Sequence, residues 1–228
     1  MNHIAVAIDG PSGAGKSTIA RAAAKAMGFV YVDTGAMYRT IGLAVSRRGI
    51  SIGEPEKVLP MLDENVTIGL AYDDAGVQHV LLNGEDVSSL IRTPEMSMYA
   101  SFVSAIPEVR AFLLDTQRNL ARTTSVIMDG RDIGTVILPD ARVKIFLTAS
   151  TEARAKRRLL ELQEKGEDVT YEAVLSDMIQ RDKQDSERAA APLRQAEDAV
   201  LVDTSELTLE QSIDAVLQQI RAAVEEER

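Results

Sequence analysis

Residues 10–18 read GPSGAGKST and contain the groups that could hold the phosphates of a nucleotide. They fit the pattern G-x-x-x-x-G-K-[ST], in which a glycine-rich backbone turns its N–H groups toward phosphate oxygens. Lys16 would contact the β and γ phosphates, and the Ser17 hydroxyl would contact magnesium. The residues predicted to line this phosphate site are Gly10, Pro11, Ser12, Gly13, Ala14, Gly15, Lys16, Ser17 and Thr18.

A second candidate is DGRDIGT at residues 129–135, in which Arg131 lies between Asp129 and Asp132. Such a cluster could be a solvated surface feature, or it could bind a polar ligand. The segment follows the apolar run SVIM and therefore lies at the carboxyl end of a predicted strand. Open α/β sheets bind their ligands at this end, which favours a site.

Arginines recur outside these two stretches, as an enzyme needs if it brings two anionic substrates together. Arg181, Asp185 and Arg188 stand at i, i+4 and i+7, so we expect them on one helix face. By itself that face could be a solvated row of ion pairs. Next to a phosphate loop, it favours a lid that closes over the nucleotide. The other arginines considered are Arg39, Arg110, Arg154, Arg157 and Arg158.

Short apolar runs separated by helical patterns predict the scaffold that positions these residues. Continuous apolar runs are typical of strands covered on both faces, and their alternation with helices predicts a parallel sheet. The predicted strands lie at 4–8, 29–32, 125–128, 143–147 and 199–202. The predicted helices lie at 16–27, 36–48, 95–121, 151–164, 170–188 and 208–225, the last starting with a capping box of Thr208 and Gln211.

Two segments interrupt the alternation of strands and helices. Residues 64–90 contain the turn sequences Asp-Asp-Ala-Gly at 73–76 and Asn-Gly at 83–84, which predict a small antiparallel insert. The charged stretch 163–169 contains a glycine between two helical patterns. It predicts a helical hairpin.

Composition excludes several classes of protein. With 228 residues, 45% of them hydrophobic, the chain can form one large domain or a domain with an insertion. A net charge of −10 and the lack of tryptophan argue against a nucleic-acid partner. No signal-peptide pattern or membrane-length apolar run is present, and the lack of cysteine fits a reducing compartment. We therefore expect a cytoplasmic protein with no membrane partner, and a monomer because the surface is acidic.

A phosphate loop alone does not distinguish a GTP-driven switch, an ATPase and a small-molecule kinase. The only candidate switch motif, D-x-x-G at 73–76, falls in a predicted turn, and no N-K-x-D stretch is present to read guanine. The loop also lacks the G-x-G-x-x-G spacing of a dinucleotide site, so NAD is disfavoured. The arginines favour a kinase; the alternative is a switch or ATPase module that hydrolyses nucleotide without an acceptor.

Five segments together resemble the bacterial cytidylate kinase family, which phosphorylates CMP and dCMP. They are GPSGAGKST at 10–18, DTGAMYR at 33–39, LLNGEDVSSLIRTPE at 81–95, DGRDIGTVILPDARVKIFL at 129–147 and RDKQDSERAAAPL at 181–193. The resemblance implies a P-loop NTPase three-layer α/β fold with a five-stranded parallel core sheet, a small antiparallel β insert that binds the monophosphate, and a helical lid. It implies the core at about 1–38, 95–150 and 190–228, the insert at about 39–94 and the lid at about 151–189.

The resemblance also implies a role for each candidate residue. Ser101, Arg110 and Asp132 resemble the family's cytosine-reading group. Arg39, Arg131 and Arg188 resemble its contacts to the acceptor phosphate and, with Lys16, would be the catalytic residues. The residues that resemble its sugar contacts are Arg181, Asp185 and Thr34, where Thr34 stands in place of a common serine. Arg157 and Arg158 are predicted to contact ATP.

The same resemblance implies magnesium, bound with ATP by Ser17 and reached through water by Asp33. No protein general base is expected, because the second pKa of a phosphate monoester is about 6 and the acceptor is already largely a dianion. Catalysis would then consist of positioning and charge neutralisation. For the base, a carboxylate or hydroxyl acceptor beside the Arg110 donor matches cytosine and mismatches uracil.

Overall fold

The computed structural model describes residues 3–64 and 66–225, and within them it contains two sheets and eight α-helices. The strands are β1 (Ala5–Asp9), β2 (Val30–Asp33), β3 (Ile68–Tyr72), β4 (Gln78–Leu82), β5 (Glu85–Asp86), β6 (Val126–Gly130), β7 (Val143–Thr148) and β8 (Val200–Asp203). The helices are α1 (Lys16–Met27), α2 (Thr34–Arg47), α3 (Pro55–Asp63), α4 (Pro94–Ser104), α5 (Pro107–Thr123), α6 (Thr151–Glu164), α7 (Tyr171–Glu187) and α8 (Leu209–Glu225). A π-helical turn covers Ile133–Ile137.

The larger sheet has five parallel strands in the order β2-β6-β1-β7-β8. All five predicted strands are confirmed. The apolar runs of the inner strands β1, β6 and β7 are largely buried because helices cover both faces of the sheet, whereas the edge strand β8 buries Val202 and leaves Val200 and Leu201 exposed. Asp33 pairs with Asp129 and Asp9 pairs with Gly130 in register. The carboxyl ends of three neighbouring strands therefore carry aspartates at one edge of the sheet.

Two helical layers cover this sheet, which makes the predicted three-layer architecture. On one face, Ile8, Ile127 and Ile145 are buried with side chains of α1 and α8. On the other face, Val32 and Met128 are buried beside the π-helical turn and apolar residues of α5. Successive strand residues point to opposite faces, so one strand contributes to both cores.

The smaller sheet, β3-β4-β5, is antiparallel and confirms the predicted insert. The D-x-x-G stretch forms the turn between β3 and β4, where the Asp73 carboxylate accepts hydrogen bonds from the backbone N–H groups of Ala75 and Val77. At the next turn Asn83 and Gly84 both have positive φ, 52° and 84°, as this type of hairpin turn requires. The turn interpretation of Asp73 is therefore confirmed.

The predicted helix at 95–121 is wrong in one respect, because two helices occupy this stretch. Helix α4 ends at Ser104 and α5 begins at Pro107. Proline has no N–H to donate and forces the preceding residue out of helical geometry, so the chain breaks here and restarts. Helix α3, at Pro55–Asp63, was not predicted; it is only nine residues long and has an internal proline, Pro60.

Helices α6 and α7 form the predicted hairpin around a small core of Ala155, Leu162, Val174 and Met178. Their connection turns at Gly166, whose φ of 78° lies in the left-handed region that glycine adopts readily.

The expectation that Arg181, Asp185 and Arg188 share one helix face is wrong for Arg188. Helix α7 ends at Glu187, and the backbone of Arg188 is extended, with φ −60° and ψ 139°. The chain then turns back on itself, so that Leu193 N donates to Asp185 O at 2.7 Å. Arg188 reaches the site from the helix end rather than from the helix face.

The start of α8 confirms the predicted capping box. Gln211 N donates to the Thr208 hydroxyl at 3.2 Å, and Thr208 N donates to Gln211 Oε1 at 2.9 Å. None of the helices in the described ranges is long and apolar enough to cross a membrane.

Candidate active site

The phosphate loop connects β1 to α1, which confirms the predicted strand-loop-helix placement. A Cβ at Gly10 would lie 1.9 Å from the carbonyl oxygen of Leu147, so only glycine fits at the start of the loop. Gly15 is the N-cap of α1 with φ 83°, and no side chain caps the helix. The first N–H groups of α1 are thus available to an anion at this end of the helix.

Lys16 is buried, and its Nζ donates a hydrogen bond to Pro11 O at 2.7 Å. Burial, helped by the nearby positive charge of Arg131, lowers the pKa of Lys16 to about 7. A polyanion bound in the loop would favour the charged lysine and raise this pKa again. The hydrogen bond to Pro11 O holds the Lys16 side chain at the loop without any ligand.

The structure brings Asp129, not Asp33, into contact with Ser17. The Ser17 hydroxyl donates to Asp129 Oδ2 at 2.7 Å, and the Tyr31 hydroxyl donates to Asp129 Oδ1 at 3.1 Å. Burial, then the charge of Asp33, raises the pKa of Asp129 to about 6. A buried carboxylate that is costly to ionise alone would be stabilised by a cation at this position.

Asp33 has other partners. Its Oδ1 caps α2 by accepting from Ala36 N at 2.8 Å, and its Oδ2 forms an ion pair with Arg39 at 2.9 Å. The sequence could not show whether Asp33 or Asp129 contacts Ser17, because both residues lie at the carboxyl ends of neighbouring strands.

The described residues contain no group of three or more acidic, histidine or cysteine side chains that could hold a metal by themselves. Magnesium does not require such a cage, since it commonly binds through one or two protein oxygens, water and substrate phosphates. The Ser17 hydroxyl beside the Asp129 carboxylate fits that mode of binding.

The second half of the site is an ion-pair cluster, which we define as Arg110, Arg131, Asp132, Asp185 and Arg188. Arg131 Nε donates to Asp185 Oδ2 at 2.7 Å, which links the turn after β6 to helix α7. Burial, the largest single influence, favours the neutral form of Asp185, but the charge and hydrogen bond of Arg131 and the charges of Arg188 and Arg181 together hold the pKa of Asp185 below its ordinary value. This pair was not expected, because the two residues were assigned to different parts of a ligand.

Asp132 is buried and lies between two arginines. One carboxylate oxygen forms an ion pair with Arg110, and the other lies 3.5 Å from Arg188. The predicted association of Arg110 with Asp132 is therefore seen directly. Because both oxygens face arginines, Asp132 fixes the directions of the two guanidinium groups.

Two residues that the sequence did not identify complete this cluster. The Ser104 carbonyl accepts from Arg110 at 3.3 Å, and its hydroxyl accepts from Arg188 at 3.4 Å. The Arg110 guanidinium also lies 5.6 Å from the centre of the Tyr38 ring, a cation–π distance. Tyr38 is in the segment DTGAMYR and could have been noticed there, whereas Ser104 carries no sequence signal.

Two predicted substrate contacts lie elsewhere. The Thr34 hydroxyl is buried and donates to Asp129 O at 2.7 Å, so it links β6 to the start of α2. The Ser101 hydroxyl donates to Gln184 Oε1 at 3.4 Å, which connects α4 to α7. The side chains of both residues thus make contacts between elements outside the ion-pair cluster.

Arg181 differs from the other arginines near the cluster. Among the described residues it has no hydrogen-bond or ion-pair partner, and it is half-buried. Burial lowers its pKa, and the positive charges of Arg131, Arg158 and Arg39 lower it further. Several cations therefore act on one another at this end of the sheet, which favours binding of an anion.

The three arginines of α6 have different partners, which the sequence did not indicate. Arg154, buried at 3% exposure, donates to Ser12 O in the phosphate loop at 2.9 Å and forms an ion pair with Asp182 of α7. Arg157 donates instead to Thr204, and Arg158 pairs with Glu161 at 3.1 Å on the helix surface. Arg154 therefore contacts the loop, although Arg157 and Arg158 were the predicted ATP contacts.

The sheet order, the phosphate loop and the clustered arginines define the class of P-loop proteins. Within that class, arginines that converge opposite the phosphate loop are characteristic of kinases, which hold two anionic substrates together.

The comparisons with known proteins narrow the class. The family model described as cytidylate kinase matches residues 6–222. A cytidylate kinase of Caldicellulosiruptor saccharolyticus is 55% identical over 218 residues, 96% of each chain. A cytidylate kinase of Caldicellulosiruptor bescii is 49% identical over 227 residues, 100% of each chain. The chain belongs to the cytidylate kinase family.

Among solved structures, an uncharacterized protein from Eubacterium ventriosum has a TM-score of 0.54 and covers 96% of this chain and 99% of its own, at 12% sequence identity. At that identity the likeness concerns the fold alone.

Proposed function

We propose that this enzyme transfers the γ-phosphoryl group of ATP to CMP or dCMP, forming CDP or dCDP and ADP. Family membership implies this reaction, and a switch or ATPase module without an acceptor is not favoured. The observation in the structure that carries the proposal is the convergence of Lys16 and Arg131 at the carboxyl ends of the paired strands β1 and β6, where the charge of Arg131 lowers the pKa of Lys16. Such convergence suits two phosphates that must approach each other.

The acceptor phosphate would be held by Arg39, Arg131 and Arg188. Each of these arginines faces a carboxylate, from Asp33, Asp185 and Asp132 respectively. A phosphate dianion offers the same kind of oxygen acceptors as a carboxylate and carries more charge. Substrate binding would thus exchange or share existing ion pairs, so the arginines are already oriented before the substrate arrives.

Arg110 and Ser101 would read the cytosine ring, with Asp132 acting through Arg110. The contacts of the Asp132 carboxylate with Arg110 and Arg188 support this division. Uracil reverses the donor and acceptor pattern at two ring positions, so it would leave a buried polar group unpaired. Arg181 and Asp185, with Thr34 nearby, would face the sugar.

Magnesium bound with ATP would be held by Ser17 and Asp129, with Asp33 reaching it through water. When bound, it supplies neutralisation of the negative charge on the β and γ phosphates. Lys16 and the N-terminal N–H groups of α1 would orient the same phosphates. Arg157 and Arg158 remain the predicted contacts of α6 to ATP, and Arg154 supports the loop by its bond to Ser12.

The helical hairpin α6–α7 would act as the lid, over about residues 151–189. It contacts the phosphate loop through Arg154 and the π-helical-turn region through Asp185, so its position depends on both substrate sites. The insert at about residues 39–94 would bind the nucleoside monophosphate. Residues 1–38, 95–150 and 190–228, approximately, would form the core. A monomeric state and a cytoplasmic location stay predictions.

The test is a coupled assay of ADP release with Mg-ATP and a panel of nucleoside monophosphates. We expect CMP and dCMP to be phosphorylated best and UMP more slowly. Preference for AMP or GMP would contradict the proposed acceptor, and ADP release without any acceptor would favour a hydrolase. The Lys16→Ala protein controls for contaminating kinases.

A further inference from the structure

The π-helical turn Ile133–Ile137 follows directly after Arg131 and Asp132, and its conformation determines where these two side chains point. π-Helical geometry is rare and is less favourable than an α-helix, so it needs support from the surrounding structure. The turn has buried residues at Ile133, Gly134 and Ile137. Its backbone polar groups must therefore find protein partners.

At the start of the turn, the partner is Asp9 at the end of β1. Its Oδ1 accepts from Ile133 N and its Oδ2 from Gly134 N, both at 2.7 Å. Hydrogen bonds that backbone N–H groups donate to a carboxylate are charge-assisted and stronger than hydrogen bonds between neutral groups. The side chain is 5% exposed, so it is not a surface contact.

At the end of the turn, the partner is Arg118 of α5. Its Nε donates to Ile137 O and its NH2 group to Val136 O, both at 3.0 Å. An anion thus binds the N–H groups at one end of the turn, and a cation binds the C=O groups at the other. This arrangement matches the direction of the dipole of the turn.

We infer that Asp9 and Arg118 are positioning residues that clamp the π-helical turn and thereby orient Arg131 and Asp132 toward the acceptor nucleotide. The inference rests on the proposed function, which assigns Arg131 to the acceptor phosphate. Neither residue was identified from the sequence, because Asp9 precedes the phosphate motif and Arg118 lies in a helix without a motif.

Asp9→Asn keeps the size of the side chain but replaces one acceptor oxygen with an NH₂ donor, which would face a backbone N–H. Arg118→Met keeps the length and removes both donors. We expect each variant to raise the KM for CMP by about 10- to 100-fold, since small displacements of substrate-positioning groups have effects of this size. In Arg118→Met the KM for ATP should change by less than about twofold, because Arg118 bonds to carbonyl groups of the turn and makes no bond to the phosphate loop. The comparison with ATP is made in this variant, because Asp9 directly precedes the phosphate loop and its charge acts on Lys16.

Arg122→Met is the matched control, because Arg122 lies one turn further along α5 and bonds only to Asn119 on the surface. It should leave both KM values unchanged. Arg118→Lys, which can serve one carbonyl, should recover part of the loss seen in Arg118→Met. In the double variant of Asp9 and Arg118, the loss should be smaller than the product of the two single losses, because both act on one turn.

Hydrogen exchange provides a readout that does not depend on turnover. The amides of Ile133 and Gly134 should exchange faster in Asp9→Asn than in the unmodified protein, while those of β1 keep their protection. A KM for CMP that is unchanged in Asp9→Asn and Arg118→Met, or a KM for ATP that rises equally in Arg118→Met, would overturn the inference. If the unmodified protein does not phosphorylate CMP at all, the proposed function fails first, and the exchange experiment still tests the clamp.

Discussion

The phosphate loop and the ion-pair cluster lie at the same edge of the sheet but are built in opposite ways. The loop is one continuous segment, and its lysine bonds to a carbonyl only five residues away. In the cluster, Arg131 and Asp185 are 54 residues apart, and Asp132 and Arg188 are 56 residues apart. The phosphate loop, on the side of the phosphoryl donor ATP (the donor side), is therefore encoded locally, although its contacts with Asp129 and Arg154 are long-range. The side of the phosphoryl acceptor (the acceptor side) exists only once α5, the turn after β6 and α7 have packed together.

This difference has a functional consequence. The backbone of the loop follows from its own glycines, and its surroundings contribute single contacts, such as Leu147 against Gly10 and Arg154 to Ser12. A cluster that joins several elements responds to movement of any of them, which makes it suited to specificity and to closure around a substrate.

The largest effect should come from the donor side. Lys16→Ala removes the positive charge that orients the phosphates, and we expect kcat to fall by roughly a thousandfold or more. The fold should persist because the hydrogen bond that Lys16 donates, to Pro11 O, lies within the loop and joins no two elements. Steady-state kinetics with CMP, together with a thermal unfolding curve, check both parts. Turnover near the normal rate would remove Lys16 from the site.

A smaller and more selective effect should come from the acceptor side. Arg110→Met should lower kcat/KM for CMP by about 10- to 100-fold, as expected for loss of a charged hydrogen bond. The same change should affect UMP less, so the ratio of the two values should fall. The ratio is measured against that of Arg122→Met, on the same helix. A preference for CMP over UMP that does not change would exclude Arg110 from base recognition.

The two regions should also differ in how pH affects stability. Asp129, at the donor side, has a folded pKa of about 6, above its unfolded value, so the native state binds its proton more tightly. Its contribution to stability should fall as pH rises from about 4 to about 6, by roughly 3 kcal/mol. Asp185 has a lowered folded pKa, so its contribution is present at neutral pH and is lost as pH falls through that value.

Urea unfolding between about pH 2 and about pH 7 in magnesium-free buffer can separate these contributions. Relative to the unmodified protein, Asp129→Asn should gain stability as pH rises from about 4 to about 6. Asp185→Asn should lose stability as pH rises toward about 4 and show no further change above that pH. Parallel curves for the two variants would contradict the opposite charge environments of the two sides.

The smallest effect concerns the lid that would connect the two regions. With ATP and CMP both bound, the backbone amides of residues 165–170, between α6 and α7, should become more protected from hydrogen exchange. Helix α8 serves as the reference, because it packs with α1 on the other face of the sheet. Equal changes in both segments would indicate general stabilisation by ligand rather than closure of the hairpin.

Much of the scaffold could be predicted because its signals are local. The five apolar runs, the Asn83-Gly84 turn and the capping box of Thr208 each act over a few residues, and each is confirmed. The predictions that failed did so for different reasons. The break between α4 and α5 follows from the local effect of Pro107, which the apolar periodicity on both sides of it obscured. Arg188 leaves the helical face because the chain folds back at the end of α7, which is non-local information.

The candidate site divides in the same way. The residues of the phosphate loop were identified by spacing alone, since the backbone geometry that they require is short-range. The choice of Asp129 over Asp33 as the partner of Ser17 depends on the pairing of three strands. Arg154, Ser104, Asp9 and Arg118 carry no motif, and their contacts arise only from packing.

By itself, the sequence determined the parallel α/β scaffold and the phosphate loop, because hydrophobic periodicity and glycine spacing act through local backbone preferences. The resemblance of five sequence segments indicated the family. Only the tertiary structure determined which charged side chains form ion pairs. Asp132 could have been a surface carboxylate; it lies between Arg110 and Arg188 because burial makes an unpaired charge costly, and the fold provides these two partners.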